Sequence, residues 1–89
     1  MSIIARFRTA VRANRYEYSQ HALEEMNEDD LADLDVRQAI LNGGVRHELT
    51  DDPRSMRYVI KGESNGVDIE VVARLISGDW ARIITVYVP

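Results

Sequence analysis

Two periodicities divide this chain near Val45: upstream, apolar positions recur at helical spacing, and downstream they alternate with polar ones. Ile3, Phe7, Ala10, Val11 and Asn14 fall on one stripe, with Ile4 at its edge. That stripe predicts a helix over 2–14, with Ser2 placed as its cap. Tyr16-Glu17-Tyr18 reads as a short extended segment. Ser19 is placed to cap a second helix from about Gln20 to Glu28, whose apolar side is Ala22, Leu23 and Met26. Asp35 is placed to cap a third, Val36 to Asn42, with Val36, Ala39 and Ile40 inward and Asn42-Gly43-Gly44 ending it.

The alternating half predicts four strands, Val45–Leu49, Met56–Lys61, Val67–Ile76 and Ala81–Val88. Asp51-Asp52-Pro53-Arg54-Ser55, Gly62-Glu63-Ser64-Asn65-Gly66 and Ser77-Gly78-Asp79 link them. Pro53 suits a second turn position, and Asn65-Gly66 tolerates positive φ. Links this short favour antiparallel neighbours, hence a meander. Val67, Ile69, Val71, Ala73 and Leu75 share one face of the third strand, opposite Asp68, Glu70, Val72, Arg74 and Ile76. Met56, Tyr58 and Ile60 oppose Arg57, Val59 and Lys61, and Ile84, Val86 and Val88 oppose Ile83, Thr85 and Tyr87. One face is therefore apolar and the other mixed. The expected fold is α+β, with N-terminal helices packed on one face of a four-stranded antiparallel β-meander.

Length and composition narrow the class. Eighty-nine residues are enough for a single domain, spanning 1–89, and too few for two. With 45% apolar and 29% charged residues the composition is globular rather than disordered. The absence of cysteine removes disulfides, thiolate metal sites and cysteine nucleophiles, and fits a cytoplasmic protein. No apolar run approaches the ~20 residues of a spanning helix, so no membrane role is expected. The net charge is −4 and unevenly spread. Arg6, Arg8, Arg12 and Arg15 occupy a stretch without acids, and Glu24, Glu25, Glu28, Asp29, Asp30, Asp33 and Asp35 one without bases. Each run reads as a solvated face or as a docking surface. Net acidity argues against generic nucleic-acid binding but leaves room for a local basic patch.

The mixed face holds the chemistry. Arg57, Lys61, Glu70, Arg74, Thr85 and Tyr87 fall on it together. Arginine and lysine stabilise a phosphate oxyanion, while a glutamate or histidine moves a proton. The set suits metal-free RNA cleavage, in which a 2′-hydroxyl attacks the neighbouring phosphate. Tyr87 would hydrogen-bond or stack on a base. The same residues also fit plain cross-strand charge pairing. His21 and Glu25, four apart on a helix, are neighbours, but two ligands fall short of a metal site, and no metal or other cofactor is implied. Trp80 beside a turn reads as a core plug or a hairpin clasp.

A family resemblance adds to this reading. Ser19-Gln20-His21-Ala22-Leu23-Glu24-Glu25-Met26 resembles the S-x-H-A opening of the DUF4258 domain family. The likeness continues through Val36-Arg37-Gln38-Ala39-Ile40-Leu41-Asn42-Gly43, then Arg57-Tyr58-Val59-Ile60 and Gly62. It ends at Ile83-Ile84-Thr85-Val86-Tyr87-Val88-Pro89, covering about 16–89. The family is similar to the RelE/barnase-like group of endoribonuclease toxins. The resemblance therefore implies a bacterial toxin-like RNase fold, an RNA substrate and an antitoxin partner of zinc-finger or helix-turn-helix type. Carried onto this chain, it points to His21, Arg57, Thr85 and Tyr87. The chain departs from the family in having Glu25 and Asp29 where members usually carry bases, and Glu70 where they often carry histidine. The expectation is a metal-independent endoribonuclease with His21, Arg57, Glu70 and Tyr87 catalytic and Lys61, Arg74 and Thr85 binding substrate. Alternatives are a non-catalytic interaction module of the same fold, and a homodimer joined through Val59, Val72 and Ile83 on the open face.

Overall fold

The computed structural model describes residues 1–50, 56–77 and 79–89. The expected turn around Pro53, and Gly78, lie outside the described residues. Helix α1 spans Ile3–Arg12; Ser2 caps it, accepting a hydrogen bond from the Ala5 N–H at 3.3 Å, and Phe7, Ala10 and Val11 form its buried stripe. The chain reverses at Asn14, whose φ is 59°. Helix α2 spans Gln20–Glu28 with Ser19 as its cap, accepting from the Ala22 N–H at 3.0 Å. Helix α3 spans Asp33–Asn42, three residues longer at its start than the pattern predicts. Asp35 does serve this helix end, but from inside the first turn, where its carboxylate reaches back to the Ala32 N–H at 2.8 Å. That bond, with a second from the Ser64 hydroxyl, holds the Asp35 carboxyl below its ordinary pKa.

The sheet has five strands rather than four. β1 is Tyr16–Tyr18, β2 Gly44–Leu49, β3 Arg57–Ser64, β4 Val67–Ile76 and β5 Trp80–Tyr87, in the order β1-β5-β4-β3-β2. β2 to β5 form the expected antiparallel meander, and β1 adds a parallel edge beside β5. Three residues are too few to show an alternation, and a parallel partner distant in sequence leaves no local mark, so the added strand is invisible in the pattern. β3 also runs on through Gly62 to Ser64. The Ser64–Val67 pair closes a two-residue turn with Asn65 at φ 52° and Gly66 at φ 79°.

All three helices pack on one face. Phe7, Val11, Ala22, Met26, Val36, Ala39 and Ile40 meet Tyr58, Ile60, Ile69, Val71, Ala73, Ala81, Ile83 and Val86 in one core. Ile83 is fully buried there, which corrects its expected place on the mixed face. The cause is a bulge: Val72 pairs with Thr85 but Ala73 with Ile83, so Ile84 is an extra residue and the alternation of β5 changes phase across it. Ile83 is thus not available for the self-contact considered above. Trp80 sits opposite Ile76 and is 41% exposed, a hairpin clasp rather than a core plug.

The acidic run is largely spent on structure. The outer edge of β5 beyond β1 exposes backbone groups that need partners. Glu25 accepts from the Val86 N–H at 3.0 Å and Asp29 from the Val88 N–H at 3.2 Å, while the Ser19 hydroxyl donates to the Ile84 carbonyl at 2.8 Å. Asp33 accepts from the hydroxyls of Tyr16, at 2.8 Å, and Tyr18, at 2.6 Å, tying β1 to α3. Burial, reinforced by the Asp33 carboxylate, pushes the Tyr18 phenol far above its ordinary value of 10.0. A phenol that stays protonated longer in the folded state stabilises the fold fully below pH ~10 and loses that contribution as pH rises further. Tyr18→Phe is therefore expected to lower stability by about 1 kcal/mol at neutral pH. It should also flatten the alkaline decline, leaving the shares of Tyr16 and Tyr87, whose phenols are raised too. Urea unfolding at neutral pH and at about pH 11 measures both effects.

Candidate functional site on the open sheet face

Opposite the helices, no described element covers the sheet. Residues directly paired across strands share a face, so the register lays out this surface row by row. One row is Lys61, Glu70 and Tyr87, with Gly44 beyond Lys61 on β2. The next is His47, Val59, Val72 and Thr85. The third is Arg57, Arg74 and Arg82, ending at Glu17 on β1. Val59 and Val72 are 7% and 9% exposed although no helix lies over them, because longer side chains flank them on both sides.

Each polar row has its own electrostatics. The Tyr87 phenol is raised above its ordinary pKa, first by its hydrogen bond to Glu70, then by burial and by the charges of Glu70 and Glu25. Tyr87 thus stays a proton donor facing a carboxylate. Lys61 lies across Glu70 on the other side, its Nζ 3.9 Å from Asp68 Oδ2. Lys61, Asp68, Arg46, Glu63, Asn42 and Gly44 line a concavity of about 450 Å³ at this end of the face. A Cβ added at Gly44 would meet nothing within 4 Å, so the space beside Lys61 is open. In the third row Arg82 Nη1 is 3.0 Å from Glu17 Oε1. Arg74 Nε is buried with no hydrogen-bond partner. Two successive cross-strand pairs, Arg57–Arg74 and Arg74–Arg82, set like charges opposite one another.

Six of the seven predicted residues lie on this face, in three rows rather than one cluster. Glu70, Tyr87 and Lys61 stand together and Thr85 is in the next row. Arg57 and Arg74 oppose each other four residues further along, roughly 13 Å of extended backbone from Glu70. His21 does not join them. It lies on α2 beyond the β5 edge, 65% exposed, with Nε2 3.3 Å from Glu25 Oε1, and reaches the neighbourhood of Tyr87 only through Glu25. The expected pairing of Glu70 or Arg74 with an opposite charge directly across the strands holds for Glu70 with Lys61 and not for Arg74.

Sequence reasoning missed Arg82 and His47. Counting back from Tyr87 without the bulge assigns Arg82 to the covered face and Ile83 to the open one. The signal was the adjacent apolar pair Ile83-Ile84, which breaks the alternation of a half-buried strand. His47 reaches the open face through a similar shift in β2, where Val45 pairs with Ile60 but His47 with Val59.

A family model described as a domain of unknown function, DUF4258, matches residues 18–88, most of the chain. The chain belongs to the DUF4258 family. The matched stretch of this DUF4258 domain runs from the last residue of β1 through β5, so it takes in the whole meander and leaves α1 and Glu17 outside. No curated protein and no solved structure matches the chain. No helix among the described residues is long and apolar enough to cross a membrane.

Proposed function

We propose that this DUF4258 domain is a metal-independent endoribonuclease of the RelE/barnase-like kind, a toxin held in check by an antitoxin. The observation that carries the reading is the pairing, on one uncovered face, of an arginine row with a Glu70–Tyr87 proton-transfer pair. Glu70 takes the proton of a ribose 2′-hydroxyl, and the freed oxygen attacks the adjacent phosphorus. The 5′-oxygen leaves with a proton from Tyr87, which Glu70 restores, so no net proton is consumed and a 2′,3′-cyclic phosphate forms. Lys61, next to Glu70, neutralises the reacting phosphate, while Arg57 and Arg74 hold neighbouring phosphates of the same strand. Purified protein is expected to cleave single-stranded RNA in the presence of EDTA, leaving cyclic-phosphate ends. Arg57→Ala and Arg74→Ala should each weaken substrate binding. Intact RNA after incubation with excess folded protein would sink the proposal.

A second reading has its own support. Lys61 is engaged with Asp68 and Arg82 with Glu17, so part of the positive charge is already neutralised within the fold. On that reading the face is the surface of a non-catalytic interaction module of the same fold, a degenerate toxin that retains its protein partner. Growth arrest on expression that Arg57→Ala abolishes would rule it out.

A further inference from the structure

Glu17 stands at the end of the arginine row. It is the register partner of Arg82, and their charged groups meet at 3.0 Å. Both side chains remain open to water, 47% and 36% exposed. An exposed pair joined by a single contact contributes little to stability, so it is readily exchanged for another anion. On the far side of Arg82 lies Arg74, with its buried, unpartnered Nε. The row therefore reads cation, cation, cation, anion across β3, β4, β5 and β1. A carboxylate offers a guanidinium the same pair of oxygens that a phosphate does.

We infer that Arg82 is a third phosphate-binding position for single-stranded RNA, which Glu17 occupies in the free protein and yields when RNA binds. The inference rests on the open face being an RNA surface. Glu17 then sets affinity from inside the chain: each encounter must displace it before the strand extends along the whole row. Glu17 lies one residue before the stretch matched to the family, so this brake belongs to the N-terminal part of the chain.

The test is binding of a labelled 2′-O-methyl oligoribonucleotide, which lacks the attacking hydroxyl, to the full chain across a salt series. Glu17→Gln is expected to bind several-fold tighter than wild type at low salt. Its log–log salt dependence should keep the wild-type slope, because the same phosphates are contacted in both complexes, whereas Arg82→Gln should flatten it by about 0.7, the share of one phosphate contact on a single strand. Adding Arg82→Gln should remove the gain. Glu28→Gln, an equal charge change at an exposed position on α2, should give much less. Glu17→Ala, which removes the side chain as well as its charge, should give the same gain. A Glu17→Gln gain no larger than that of Glu28→Gln, or one that persists with Arg82→Gln, overturns the inference. Wild type that shows no salt-dependent binding overturns the nuclease reading and this inference together.

Discussion

Gly62→Ala is expected to cost about 3 kcal/mol or more of stability, at the upper end for overpacking. A Cβ at Gly62 would run into the backbone carbonyl of Ala39, with the Ala39 carbonyl carbon at 2.6 Å and Cα at 2.8 Å. These are backbone atoms in the middle of α3, so relief requires the helix to lift from β3 as a body. Ala39 and Ile40 are fully buried beneath it, and lifting opens the centre of the core. For a domain of this size the loss lowers Tm by on the order of 15 °C. Gly44→Ala is the comparison, since nothing lies within 4 Å of its added Cβ. Chemical and thermal unfolding of the two variants followed by circular dichroism decides the point. Equal midpoints would mean that α3 does not sit this close to the sheet.

Glu70→Gln is expected to slow RNA cleavage by about 10²- to 10⁴-fold, the usual contribution of a general base. The amide keeps the shape of the side chain and removes its charge. RNA binding should be retained or strengthened, because one anion leaves the face. An independent reading comes from Tyr87. Its phenol is held high chiefly by Glu70, so in the variant it should titrate lower, toward the ordinary 10.0. Ultraviolet titration of the phenolate, with Tyr87→Phe identifying the signal, measures this without any activity. Unchanged cleavage alongside a lowered Tyr87 titration would leave the contact intact and remove Glu70 from the chemistry.

Much of the fold was legible because its signals are local. Ser2 and Ser19 cap where a hydroxyl precedes a helical stripe, and Asn65-Gly66 turns where two positive φ values are needed. What escaped depends on events between strands. β1 is recognised only beside β5, and the bulge at Ile84 exchanges the faces of Ile83 and Arg82. The candidate site was correspondingly half legible. Lys61, Glu70 and Tyr87 fall on one row because β3, β4 and the end of β5 keep the phase their alternation announces. The full arginine row stayed hidden because its third member lies past the bulge. Glu25 and Asp29 stand where the family resemblance implies bases. Their partners are main-chain N–H groups on a strand some sixty positions away, which no charge count displays.

That arrangement leaves the two margins of the sheet unlike one another. On one side, side chains from α2 finish the main-chain bonding of β5 where β1 does not reach; on the other, β2 is the outermost strand. A strand edge whose main-chain groups already have partners offers little to an incoming strand. A strand arriving beside the end of β5 would first have to displace Glu25 and Asp29, which directs any edge-to-edge pairing away from that stretch.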